Sequence, residues 1–269
     1  MTELWSHALL GLSIMLAMGF ITWLYSLYHE DVSIVDSLWS LMFLAGAISY
    51  SLSAAKLSAA NVLLLTLVTV WSLRLSVFLT VRNWGQPEDR RYREIRQNNE
   101  PYFRFKSLYI VFGLQALLAW IISAPLLAAL TSEFPINTVV ILATLLWTAG
   151  FLIESIADNQ LYRFKASKEN SGKVLNTGLW RYSRHPNYFG EFLIWWAFYL
   201  FAVASGAWWT VFSPLLMSLL LLKVSGVTLM EKDINERRAD YRQYIASTSA
   251  FIPWKPKQSV SYMQRGHQS

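Results

Sequence analysis

Thr177-Gly178-Leu179-Trp180-Arg181-Tyr182-Ser183-Arg184-His185-Pro186-Asn187-Tyr188-Phe189-Gly190-Glu191 runs directly into the apolar stretch Phe192–Ser205. A basic, polar loop that turns into a membrane-length apolar run sets the kind of fold. Proline disfavours the α region for the residue before it, so His185 is expected to be extended. Asn187 is then placed to cap the helix that follows. That helix offers free N–H groups and the positive end of its dipole, with arginines just upstream, a combination suited to a phosphate or another anion. The same features also suit a plain membrane boundary, with basic residues for orientation and Trp and Tyr for the interface. Glu191 counts against the plain reading, because a carboxylate on the first turn of a spanning helix is costly unless paired or functional.

The rest of the chain agrees with a membrane setting. Of its 269 residues, 54% are hydrophobic and only 15% charged, which points to an integral membrane protein. The 13 tryptophans suit interfacial belts. The net charge of +6 sits beside the apolar runs, so it reads as topogenic and lipid-facing; no nucleic-acid partner is expected. There is no cysteine, which excludes disulfides, thiolate nucleophiles and Cys-ligated metals. Of the four histidines only His185 has a polar context, and no metal site is expected. No G-x-G-x-x-G, Walker A or H-E-x-x-H motif occurs, so a bound nucleotide would be held by loops and helix ends.

Seven apolar runs approach spanning length, at about 4–28, 34–53, 61–81, 107–130, 135–158, 188–205 and 207–229. The expected fold is all-α, a bundle of about seven transmembrane helices in one domain over 1–256, with 257–269 as a frayed tail. Leu4–Tyr28 reads as a retained span and not as a signal peptide. Basic residues cluster in the 82–106 connection, the 159–187 connection and the C-terminal segment. The positive-inside rule then places the N-terminus outside and these three segments in the cytoplasm.

Six ionisable residues fall inside the runs or their ends: Asp36, Arg74, Glu154, Asp158, Glu191 and Lys223. All belong to the cytoplasmic half in this topology, and they are expected to face inward and pair. Glu154 and Asp158 lie one turn apart, on the same helix face. Structural ion pairing is one reading of this set, and a polar pocket open to the cytoplasm is the other. Between Pro87 and Arg96, acidic residues precede basic ones, which predicts a short polarised helix whose arginines suit a phosphate. The run Glu231–Tyr244 reads as a charged helix leaving the membrane, and Phe251-Ile252-Pro253-Trp254 as a turn back to the interface.

The chain resembles the steroid 5α-reductase family, most closely its bacterial integral-membrane branch. The resemblance rests on Glu154-x-x-x-Asp158, on Gly178-Leu179-Trp180-x-Tyr182-Ser183-Arg184-His185-Pro186-Asn187-Tyr188-x-Gly190-Glu191, on Glu88-Asp89-x-x-Tyr92 and on Asp240-Tyr241 with Phe251-Ile252-Pro253. Isoprenylcysteine and phospholipid methyltransferases carry a similar Arg-His-Pro-x-Tyr string and a similar tail. The reductase resemblance implies NADPH as cofactor, held by Glu154, Asp158, His185, Asn187 and Glu191, with Gly190 allowing close approach. By charge, Lys165, Arg181, Arg184, Arg90 and Arg91 would meet its phosphates. A lipophilic enone would enter from the bilayer, with membrane lipids as the other partners. Steroid 5α-reductases use a Gln-Glu pair on the second span and a Tyr on the third. This chain has Asp36 near the first place and Trp71 and Arg74 near the second, so Asp36 and Arg74 are the expected carbonyl-polarising residues. A methyltransferase using S-adenosylmethionine and a non-enzymatic lipid-binding protein are the alternatives.

Overall fold

The computed structural model describes residues 2–54, 56–224 and 239–257. The segments 225–238 and 258–269 lie outside the described residues, and with them most of the expected 231–244 helix and of the expected tail. Among the described residues the chain is helical throughout and contains no strand. A bilayer requires this, because a helix satisfies every backbone polar group within its own segment. The helices are α1 (Thr2–His29), α2 (Ile34–Leu52), α3 (Ala59–Asn83), α4 (Arg90–Asn98), α5 (Phe103–Ser107), α6 (Leu114–Ile122), α7 (Ala124–Leu130), α8 (Thr138–Ala166), α9 (Pro186–Ala204), α10 (Phe212–Leu219) and α11 (Ala239–Ser247).

Among the described residues, five helical segments are long and apolar enough to cross a membrane: Glu3–His29, Ile34–Leu52, Ala59–Asn83, Phe103–Ile122 and Thr138–Ala166. The expected spans at 188–205 and 207–229 correspond to α9 and to the shorter apolar helix Trp208–Lys223. Residues beyond 224 in the latter are outside the described set. The chain is thus an all-α polytopic membrane protein. The expected single span over 107–130 is broken: a π-helical turn covers Leu108–Gly113, and a second break at Ser123 separates α6 from α7. Pro125, in the first turn of α7, explains the second break, since its ring cannot continue the α6 hydrogen-bond ladder.

Contacts group the chain into two compact units, Met1–Trp147 with Trp195–Met217, and Thr148–Ile194 with Ser218–Ser269. In the first unit, the core is an aromatic cluster. Phe43 of α2, Trp71 of α3, and Trp195 and Phe198 of α9 are all fully buried. Their rings meet largely edge to face, with centroids 4.6 Å apart for Phe43–Trp195 and 5.7 Å for Trp71–Trp195, the arrangement ring quadrupoles favour. Side chains serve the backbone groups freed at helix ends. Ser58 and Asn61 form a capping box at the start of α3. The Asn61 amide then donates to the carbonyls of Ala129 (2.8 Å) and Ser132 (3.1 Å) beyond α7. Ser213 donates to the Ile122 carbonyl at the α6–α7 break.

In the second unit, α8 and α9 approach through two glycines. A Cβ built on Gly190 would lie 2.6 Å from the Glu154 amide nitrogen and 2.6 Å from the Gly150 carbonyl oxygen. One built on Gly150 would lie 2.7 Å from the Gly190 carbonyl oxygen. Backbones this close admit no side chain, the small-residue packing common between membrane helices. Gly190→Ala should therefore force the helices apart, at a cost of ~1–3 kcal/mol, and lower the thermal midpoint in detergent. An unchanged midpoint would show that the helices do not meet there.

Candidate functional site

The first unit holds a charged latch at the connection after α3. Asp89 caps α4 by accepting from the Arg91 amide at 2.9 Å. The Arg91 side chain reaches Asp89 Oδ1 at 3.0 Å through Nε and Asp36 Oδ2 at 2.7 Å through Nη2. Tyr92 donates its hydroxyl to the other Asp36 oxygen at 2.5 Å. One residue upstream, Glu88 accepts from the Val32 amide and takes a bidentate grip from Arg96 at 2.7 and 3.0 Å. Ser33 Oγ accepts from the Asp89 amide. Glu88 and Asp89 thus tie α4 to the turn between α1 and α2.

Electrostatics hold the latch in one protonation state. Burial works against charge on Arg91, but Asp36 and Asp89 outweigh it and raise its already high pKa. Burial, reinforced by the Asp36 charge, pushes the Tyr92 phenol well above its ordinary value, so it stays a donor. Burial also pushes the Asp89 carboxyl up, but Arg91 and, more distantly, Arg82 draw it below the usual carboxylate range.

This geometry changes the expected roles of three residues in this unit. Both Asp36 oxygens accept hydrogen bonds, so Asp36 holds α4 and offers no proton to a carbonyl. Arg91 is committed to Asp36 and Asp89 instead of a phosphate. Arg90 pairs with Glu94 one turn on, at 2.6 Å on the surface. Arg74 is half-buried on α3. The role of Tyr92 was not legible in the sequence. The one signal was its place in Glu88-Asp89-x-x-Tyr92, one turn past the capping acid.

The second unit brings together most of the expected cofactor residues. Glu154 and Asp158 are one turn apart on α8 and only 2% and 5% exposed. Asn187, in the first turn of α9, donates from Nδ2 to Asp158 Oδ1 at 3.2 Å. Glu191, one turn further along α9, is half-buried. A set of carboxylates and an amide on two facing helix ends is rich in acceptors, which suits hydroxyl and amide donors on a ligand. Lys165 lies two turns beyond Asp158, about 10 Å along α8. It borders a solvent-open recess of ≈ 540 Å³ with Leu161, Phe164, Lys168, Asn170 and Leu175.

The loop before α9 is stapled on both sides. Trp180 donates from its indole to the Ala157 carbonyl, and the Leu179 amide to Gln160 Oε1 at 3.0 Å. Gly178 sits beside that same Gln160 with a φ of +58°, a position with no room for a side chain. On the other side, Arg184 donates to the Thr248 and Ile245 carbonyls at 2.7 and 3.2 Å, and its amide to Ser249. Tyr244 hydrogen bonds through its hydroxyl to the Trp180 carbonyl, and Ser183 Oγ to the Phe251 carbonyl. Arg184 therefore neutralises the carbonyl end of α11, where a cation is favoured, and is buried there instead of facing a phosphate. His185 is buried, with its amide on Ser183 Oγ and its ring stacked on Tyr188 at 5.7 Å. Arg181 and Lys165 stay exposed. Gly190 spends its close approach on α8. Lys223, expected inside, is exposed, as a long basic side chain reaching for the interface would be.

Two outcomes follow from these contacts. Arg184→Lys keeps the charge but cannot span both carbonyls, so hydrogen exchange at 239–257 should accelerate at least tenfold over the parent; unchanged protection would remove Arg184 from the staple. Because the folded pKa of Asp89 is lowered, the stability it contributes is complete above its ordinary value of about 3.9 and lost as pH falls through the lower folded value. The midpoint difference between the parent and Asp89→Asn should then shrink to nothing in that acid range. A constant difference would show that the charge is irrelevant.

Comparison with known proteins places the chain. It is 30% identical over 280 residues to the uncharacterized protein C594.04c of the fission yeast Schizosaccharomyces pombe, covering 90% of this chain and 78% of that one. No solved structure matches it. The family model for DUF1295, described as a protein of unknown function, matches residues 22–248. That match takes in the α4 latch, the acidic pair on α8 and the stapled loop, and the chain belongs to the DUF1295 family.

Proposed function

We propose that the protein is a membrane-embedded, NADPH-dependent reductase of a carbon–carbon double bond in a lipophilic enone of steroid, isoprenoid or fatty type. The observation that carries this reading is the pair of buried carboxylates Glu154 and Asp158, with the half-buried Asn187 amide on Asp158, in the second unit. Carboxylates within membrane-spanning segments mark functional sites, and an acceptor-rich set suits the ribose hydroxyls and carboxamide of a dinucleotide. The cations a dinucleotide needs for its phosphates are present on the same unit as Lys165, Lys168 and Arg181, all exposed at the polar end of α8 and in the following loop. The residues present therefore fit the group.

In this reading Asp158 orients the Asn187 amide, turning its oxygen outward as an acceptor. Glu154 and Glu191 accept from ligand hydroxyls, and Lys165 and Arg181 meet phosphate. Bound NADPH would supply a hydride. The enone would take the hydride at its β-carbon and a proton at its α-carbon, and a preorganised hydrogen-bond donor stabilises the negative charge its carbonyl gathers. The resemblance to steroid 5α-reductases supports the reaction class, and the lipid-facing helices support a substrate that arrives from the bilayer. The N-terminus outside and the basic loops in the cytoplasm would give the site access to soluble cofactor.

Purified protein in detergent should gain thermal stability from NADPH and not from S-adenosylmethionine. A ligand at 100 times its Kd adds about 2.7 kcal/mol. Asp158→Ala should retain the parent midpoint without ligand to within a few degrees and lose the NADPH shift. A shift with S-adenosylmethionine alone would replace reduction by methyl transfer. No shift with either would leave a non-enzymatic lipid-binding protein.

A further inference from the structure

The segment 251–257 shows a combination that the proposed chemistry does not use. Its backbone is fixed: the Trp254 amide donates to the Tyr182 carbonyl at 2.9 Å and the Lys257 amide to the Ser247 carbonyl at 2.9 Å. Phe251 is anchored by edge-on contacts with Phe189 and Phe192 of α9. Yet Ile252 and Trp254 stand 62% and 73% exposed, beside Tyr182 at 43%. Lys255, Lys257 and Arg181 are exposed next to them, and no acidic residue interrupts 241–257. A frayed segment would expose apolar side chains by chance. This one is held in place while presenting them.

Helix α8 gives the depth of this patch. Leu152 and Ile156 are apolar and exposed, as lipid-facing residues are, and Arg163 is the first exposed charge after them. The membrane boundary therefore crosses α8 between about Ala157 and Tyr162. The loop docks at that level, with Trp180 on Ala157 and Leu179 on Gln160. Tyr182, and through it Trp254, follow within a few residues. An exposed Trp, Tyr and Ile ringed by three cations at the boundary match the two demands of the interface, aromatic rings at headgroup level and cations toward anionic lipid.

We infer that Tyr182, Ile252, Trp254, Lys255, Lys257 and Arg181 form a binding surface for anionic phospholipid headgroups, which fixes the C-terminal segment and the stapled loop on the bilayer surface. The inference does not depend on the reductase reading. Ile252 and Trp254 enter the headgroup–acyl boundary, and the cations meet the phosphates.

The chain has no cysteine, so Trp254→Cys carries a single environment-sensitive fluorophore, and Ile252→Cys serves if the first variant fails to fold. Each labelled protein is placed in nanodiscs of phosphatidylcholine alone or with phosphatidylglycerol, with and without lipids spin-labelled near the headgroup. The expected result is blue-shifted emission quenched by the spin-labelled lipid, with quenching about twofold greater when phosphatidylglycerol is present. Lys255→Glu with Lys257→Glu should abolish that difference. Water-like emission without quenching overturns the inference, and so does equal quenching in the two lipids. Shielding that appears in detergent and rises with protein concentration overturns it in favour of a second copy of the chain.

Discussion

Inside a bilayer a peptide N–H or C=O has no water to turn to, so every interruption of a helix must be answered by another group of the protein. The structure can be read as a set of such answers. Where α6 gives way to α7, Ser213 serves the Ile122 carbonyl. Where α7 ends, Asn61 serves two carbonyls at once from the start of α3. The indole of Trp120 serves Ala8 on α1, and that of Trp23 serves Arg104 ahead of the π-helical turn. Each answer comes from a distant part of the chain. The interruptions, which would be weak points in an isolated helix, become the places where helices are tied together.

The same economy governs the polar end of the second unit. The loop that carries Arg184 and His185 has little regular structure, yet both of its sides are fastened, to α8 through Trp180 and Leu179 and to the C-terminal segment through Ser183, Arg184 and Tyr244. Asn187 follows within three residues of Arg184. The position of its amide against Asp158 is therefore set by a frame that extends to residue 257. Catalytic and binding groups need such a frame, because a loose supporting shell misplaces them by an ångström or more.

What the sequence reveals and what it hides divide along physical lines. Apolar runs, the short polarised helix after Pro87 and the same-face pairing of Glu154 and Asp158 are local properties, and all of them are present among the described residues. Charge alone was a poor guide to role. Arg91 and Arg184 looked like phosphate ligands in one dimension, and in three they are consumed by Asp36 and by main-chain carbonyls. Gly190 likewise suggested room for a ligand, whereas the neighbour it admits is another helix. These partners lie 36 to 64 positions away, and periodicity or spacing carries no information at that range. The broken fourth span was legible in principle, since Pro125 and Gly113 interrupt an otherwise uniform apolar run.

The grip of Arg184 is on main-chain oxygens, and this has a consequence for how the protein can change over evolutionary time. A guanidinium paired with a side chain ties two positions together, and substitution at one demands a response at the other. A guanidinium that holds the carbonyls of Ile245 and Thr248 asks nothing of their side chains. The residues around 245–249 can therefore drift widely in identity while the join endures, provided the helix ends at the same place. Insertions and deletions are the changes this join does not forgive, because a shift of register moves these carbonyls away from the guanidinium.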